Sequence, residues 1–217
     1  PVEVKNEISK ITEYLSDGNL EAIQNRLAEN SMPKGICVML YGAPGTGKTE
    51  TVKHLARILG RDLYAVDFNT LIDSKLGQTA KNIALLFDDI NRLRHPEKIM
   101  ILFDEIDALA LDRTNSNDLR EMGRATSAVF KGMDGLNPNV VLIATTNLFK
   151  DFDKAMLRRF DSIIDFNRYT RDDLIEISEI LLSMFLAKFK FAGRNMRLFR
   201  KIISLMEEIP FPGGLKN

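Results

Sequence analysis

The sequence has 217 residues, 45% of them hydrophobic and 28% charged, with 30 Lys and Arg balanced by 30 Asp and Glu. A chain of this size can bury a core without covalent staples, and its formal net charge of zero lacks the basic footprint of non-specific nucleic-acid binding. The single cysteine, Cys37, excludes an internal disulfide and points to a reducing compartment such as the cytoplasm. No run approaches the roughly 18 uninterrupted apolar residues of a membrane span, and the first ten residues do not have the pattern of a signal peptide. The chain begins at Pro1 rather than at a methionine, as a piece of a longer protein would.

In chain order, Asp17-Gly18-Asn19 supplies the first turn signal. Residues 36–41 form an apolar run that reads as a strand, and residues 49–59 read as a helix. After Gly60-Arg61-Asp62 a strand is predicted at 63–67, followed by a helix at 79–94 whose Ile83, Leu86, Phe87 and Ile90 share one face. His95-Pro96 punctuates its end. Strands follow at 99–103, 140–144 and 163–166, with a helix at 119–133 and a turn at Asn137-Pro138-Asn139. This alternation is the rhythm of a parallel sheet with helices on its faces. The nearly continuous apolar runs predict strands covered on both sides. After Tyr169 the pattern is wholly helical, at 172–191 and 196–208, with Thr170, Asp172 and Asp173 as a helix start. Pro212-Gly213-Gly214 reads as a turn opening a further helix.

The sharpest motif is Gly42-Ala43-Pro44-Gly45-Thr46-Gly47-Lys48-Thr49, a full G-x-x-x-x-G-K-[ST] between a buried strand and a helix. Its glycines let successive backbone N–H groups curl around a phosphate at the positive end of the helix. In that role Lys48 reaches the β- and γ-phosphates, and the Thr49 hydroxyl ligates Mg²⁺. The strand at 99–103 runs into Asp104-Glu105 at its C-terminal edge, where ligands bind in open α/β sheets. One acid near Mg²⁺ and a second free to polarise water is what nucleoside-triphosphate hydrolysis needs. Asp107 is placed to cap the helical turn that starts at Ile106. Asn147, in Ala-Thr-Thr-Asn after the fourth strand, could hold the attacking water, and the planar charge of Arg158 or Arg159 could stabilise a transferring γ-phosphate. His54 and His95 are too isolated for a metal site, and Cys37 reads as a core residue. Lys188, Lys190, Arg194, Arg197, Arg200 and Lys201 form a local basic run that reads as a solvated or inter-subunit face.

Together these motifs resemble an AAA-type ATPase module of the AAA+ superfamily, from about Val4 to Asp173. Val4-Lys5-Asn6-Glu7-Ile8 is similar to the helix before the phosphate loop. Residues 42–49 match Walker A, and Asp104-Glu105-Ile106-Asp107-Ala108-Leu109 matches Walker B. The stretch from Arg124 to Met133-Asp134-Gly135-Leu136 is similar to the helix leading into the fourth strand. Asn147 falls at the sensor-1 position, and Ala155-Met156-Leu157-Arg158-Arg159-Phe160-Asp161 resembles the segment that supplies arginine fingers. The resemblance implies an α/β, P-loop NTPase-like five-stranded parallel sheet with flanking helices over 1–168, including a helical lead-in at 1–34. The start of a small helical lid follows at 169–217.

The family implies a ring, usually a hexamer of identical chains, with ATP and Mg²⁺ at each interface and a pore that grips a polypeptide. Residues 74–82 resemble the first pore loop but depart from it: Lys75-Leu76-Gly77 has no aromatic residue before the small apolar–glycine pair, so Leu76 either wedges against polypeptide or tucks into the core. Arg158 and Arg159 stand adjacent, without the spacer of some relatives, which leaves open which one is the finger. The expected activity is ATP hydrolysis by a remodeller or unfoldase acting on proteins. A DNA-directed loader rests only on the basic run, and a nucleotide-gated regulatory module only on the missing pore aromatic.

Overall fold

The computed structural model describes residues 2–29, 35–71, 78–109, 116–167, 169–187 and 195–205. Its five strands are β1 (Ile36–Tyr41), β2 (Asp62–Asp67), β3 (Ile99–Asp104), β4 (Val141–Thr146) and β5 (Ser162–Asp165). They form one sheet in the order β2-β3-β4-β1-β5, and every adjacent pair is parallel. The helices are α1 (Val2–Leu15), α2 (Asp17–Glu29), α3 (Lys48–Ile58), α4 (Gln78–Asn91), α5 (Ser116–Asp134), the short α6 (Lys154–Leu157), α7 (Arg171–Leu186) and α8 (Met196–Ser204). The predicted α/β class and the five-stranded parallel sheet are both present. Among the described residues no helix is long and apolar enough to cross a membrane.

Side chains alternate across each strand, so β1 feeds two cores. Cys37 and Met39 face a layer with Ile83, Phe87 and Ile90 of α4 and Ala125, Val129 and Met133 of α5. Ile36, Val38 and Leu40 face the opposite layer, with Ile11 and Leu15 of α1 and Val52 and Leu55 of α3. Phe103 joins the first layer through edge-to-face contacts with Phe68 and Phe87, at 4.8 and 5.7 Å between ring centroids. Each such aliphatic or aromatic side chain contributes roughly 1.5–3 kcal/mol when fully buried. These layers fix the C-terminal ends of β1, β3 and β4 side by side.

Coverage on both faces holds for β1, β3 and β4 and fails for β2. That strand lies at the sheet edge, with Asp62, Tyr64, Ala65 and Asp67 exposed. β4 runs to Thr146, beyond the predicted end at 144, because Thr145 and Thr146 continue the parallel register against Leu40 and Tyr41. α4 stops at Asn91 rather than 94, as the chain tightens ahead of Pro96, a residue that disfavours helix just before it. α7 ends at Leu186, and residues 188–194 and 206–217 lie outside the described residues. Of the basic run, Arg197, Arg200 and Lys201 are described and exposed, and Arg200 Nη1 lies 3.4 Å from Glu179 Oε2.

Candidate functional site

The loop from β1 to α3 turns through two glycines with left-handed backbone, Gly45 at φ 78° and Gly47 at φ 87°. Both conformations carry a steric penalty for residues with a β-carbon. Lys48, the first residue of α3, is buried. Its Nζ donates to the carbonyls of Gly42 at 2.7 Å and Ala43 at 3.0 Å, and to Asn147 Oδ1 at 2.8 Å. Burial lowers the Lys48 pKa below its usual value, against the opposing pull of Asp107, Asp104 and Glu105.

The next residue reaches the neighbouring strand. Thr49 Oγ1 donates to Asp104 Oδ1 at 2.9 Å, and the same oxygen accepts from Thr145 Oγ1 at 2.6 Å. Thr145 Oγ1 in turn accepts the Glu105 N–H at 3.0 Å. Glu105 has φ 52°, so β3 ends in a left-handed turn instead of continuing its alternation. Asp104 and Glu105 line a single cavity of about 300 Å³ with Lys48, Thr49, Thr145 and Asn147.

Asp107 does not act as the expected helix cap. Its carboxylate accepts from the Thr146 hydroxyl and, at 3.1 and 3.2 Å, from the Asn147 N–H. Thr146 Oγ1 accepts the Leu148 N–H at 2.9 Å. The turn that presents Asn147 is therefore tied down from the segment after β3. Thr145 and Asp107 join the site only through the fold, by their bonds to Asp104, Glu105 and Asn147. The available signals were the threonine pair ahead of Asn147 and the third acid of Asp104-Glu105-Ile106-Asp107.

The two arginines lie elsewhere. Asp153 caps α6 by accepting the Met156 N–H at 2.7 Å, and Arg158 and Arg159 follow on the way to β5. Arg159 Nε and Nη2 donate to the two Asp134 oxygens at 3.0 and 2.9 Å, and Nη1 donates to the Ala155 carbonyl at 2.6 Å. Its guanidinium lies 4.0 Å from the centroid of the Phe130 ring. Arg158 is exposed, and its guanidinium makes no hydrogen bond or ion pair among the described residues. Both arginines line a second cavity of about 370 Å³ with Cys37 and Asp134, separate from that of Lys48. Leu76 lies outside the described residues.

Comparison with known proteins places this arrangement. Residues 38–168 match the family model "ATPase family associated with various cellular activities (AAA)". An AAA family ATPase of Sinorhizobium fredii is 37% identical over 60% of this chain and 38% of its own length. The ATP-dependent zinc metalloprotease FtsH of Lachnoclostridium phytofermentans is 39% identical over 62% of this chain and 23% of its own. The proteasome-activating nucleotidase of Methanococcus maripaludis is 35% identical over 80% of this chain and 42% of its own. The chain thus spans less than half the length of these curated relatives. In fold it resembles a chain of the Escherichia coli MS115-1 HORMA:CdnC:Trip13 complex, with TM-score 0.68 and 22% identity over 97% of this chain and 75% of that one.

Proposed function

The chain belongs to the AAA family of ATPases, and from that premise we propose that it binds and hydrolyses ATP as one subunit of a homo-oligomeric ring, a hexamer, that acts on polypeptides. The observation that carries this reading is one cavity holding the Lys48 ammonium, the Thr49–Asp104 hydrogen bond and the Glu105 carboxylate. Residues 42–49 cradle the phosphates with backbone N–H groups, and Lys48 adds the charge that holds the β- and γ-phosphates. The Thr49 hydroxyl and Asp104 carboxylate are hard oxygen donors that suit Mg²⁺, and they already converge within one hydrogen bond. When bound there, Mg²⁺ supplies charge neutralisation for the β- and γ-phosphates.

In this mechanism Glu105 draws a proton from water as the water oxygen bonds to the γ-phosphorus. The bond to the β–γ bridging oxygen breaks, and ADP leaves with that oxygen. Asn147 orients the water through its amide, and Asp107 holds Asn147 in place through its N–H. Arg158 stabilises the charge developing on a neighbouring subunit's γ-phosphate. Arg159 holds the α6–β5 corner, since its guanidinium is already committed to Asp134 and Ala155. On this reading residues 1–168 are the ATPase unit, residues 169–217 begin the lid, and the chain works in the cytoplasm.

The relatives described as proteasome-activating nucleotidases support a polypeptide substrate. The test is ATP turnover against protein concentration, with and without an unfolded polypeptide or DNA. Specific activity should rise with concentration and with polypeptide. Concentration-independent turnover together with no rescue when Arg158→Ala and Lys48→Ala chains are mixed would remove the ring, and stimulation by DNA alone would favour the loader reading.

A further inference from the structure

The phosphate loop is gripped from the β5 side as well as by Lys48. Phe166 approaches Gly42 so closely that a β-carbon on Gly42 would lie 2.9 Å from the Phe166 Cβ. Asn167 Oδ1 accepts the Ala43 N–H at 2.8 Å, while Asn167 Nδ2 is anchored on Asp165 Oδ1 at 2.9 Å. Tyr169, partly buried, donates its phenol hydrogen to the Thr46 carbonyl. Burial, with the nearby Asp173 charge, raises the phenol pKa further above neutrality.

The Thr46 carbonyl shares its peptide unit with the Gly47 N–H. A trans peptide sets these two groups on opposite sides, and Gly47, at φ 87°, has no β-carbon to prevent that unit from turning over. A donor holding the carbonyl therefore decides which way the N–H faces. We propose that Tyr169 is a positioning residue for the nucleotide phosphates: by holding the Thr46 carbonyl it turns the Gly47 N–H toward the concave side of the loop. The inference rests on residues 42–49 being the phosphate site and adds a residue outside the motif.

The same contact ties the loop to the helix that follows. Tyr169 directly precedes Thr170, whose N–H and hydroxyl both donate to Asp173 Oδ2, at 2.8 and 2.6 Å. Asp173 N–H returns a bond to Thr170 Oγ1 at 3.2 Å, which fixes the start of α7.

Tyr169→Phe keeps the ring and removes only the hydroxyl. Affinity is measured with a fluorescent ATP analogue and, by competition, with inorganic tripolyphosphate, which has neither base nor sugar. One hydrogen bond's worth of positioning is about a fivefold loss, and it should be equal for both ligands. The thermal midpoint without nucleotide should stay within about 4 °C of wild type. Unchanged affinity for both ligands would overturn the proposal. So would a loss for the ATP analogue alone, which would put Tyr169 on the base or sugar, or a larger thermal loss, which would make the contact a fold contact. Lys48→Ala separates the two readings: if it abolishes binding while Tyr169→Phe does not weaken it, only the positioning role fails. A wild-type chain that binds neither ligand would overturn both.

Discussion

Lys48 Nζ donates to Asn147 Oδ1 at 2.8 Å, bridging the first residue of α3 and the turn after β4. The ammonium that would hold phosphate and the amide that would hold water are thus set against each other before any ligand contact is counted. Because Lys48 titrates below its usual 10.5, nucleotide affinity should fall as pH rises through that lowered value, earlier than an exposed lysine would allow. Stability has the opposite sign. Between the lowered value and 10.5 the unfolded chain binds more protons than the folded one, so folding gains as pH rises through that window. ATP-analogue titrations and thermal midpoints across the same buffers check both signs, and Lys48→Met should remove both slopes.

Glu105→Gln should bind ATP with near wild-type affinity and lose turnover by about 10²-fold or more. Asp104→Ala should instead weaken the Mg²⁺-dependent part of binding, because it removes the carboxylate on which Thr49 and Thr145 converge. Equilibrium binding with and without Mg²⁺, set beside single-turnover hydrolysis, distinguishes the two. Normal turnover in Glu105→Gln would refute the proposed role of this acid.

Arg158 and Arg159 should fail differently. Arg158→Ala removes an exposed guanidinium that has no hydrogen bond or ion pair among the described residues, so the fold should be unaffected, while hydrolysis drops by roughly 10³-fold if it acts on a neighbour's nucleotide. Arg159→Ala removes the bonds to Asp134 and Ala155 and the Phe130 contact, and should lower the thermal midpoint by about 2–4 °C. Mixing Arg158→Ala with Lys48→Ala should recover some turnover, since each supplies what the other lacks. No recovery at any ratio would count against sites shared between chains.

Asp107→Ala should cost stability and turnover together. It strips the acceptor from the Thr146 hydroxyl and the Asn147 N–H, and leaving such a part-buried donor unsatisfied costs about 1–3 kcal/mol. Denaturant unfolding would report the first effect. A fall in kcat larger than the change in ATP affinity would report displacement of Asn147.

What the sequence makes legible here depends on how far apart the cooperating residues lie. Residues 42–49 are readable because turn, helix start and cation are consecutive, and Asp104-Glu105 because the strand before it is an unbroken apolar run. Thr145 and Asp107 are not, since their partners Asp104 and Thr146 lie 41 and 39 residues away. Tyr169 is further still from its partner, Thr46, at 123 residues. The five strands could be found from local apolar runs, but the exposure of β2 follows only from its place at the end of the sheet order. The difference between Arg158 and Arg159 was invisible because it is made by Asp134 and Phe130, on another helix.

The left-handed backbone of Glu105 sets ease of folding against the proposed chemistry at one position. An L-residue with a β-carbon held there costs on the order of 1–2 kcal/mol relative to a right-handed conformation, a cost that glycine would largely escape. In a library of all substitutions at 105, selection for soluble, folded chains should therefore enrich glycine and asparagine, and selection for turnover should return glutamate. On the proposed reading the residue present is a compromise recorded in the backbone: the chain tolerates a less comfortable turn, and that turn carries the side chain out of the strand to the cavity beside Thr49.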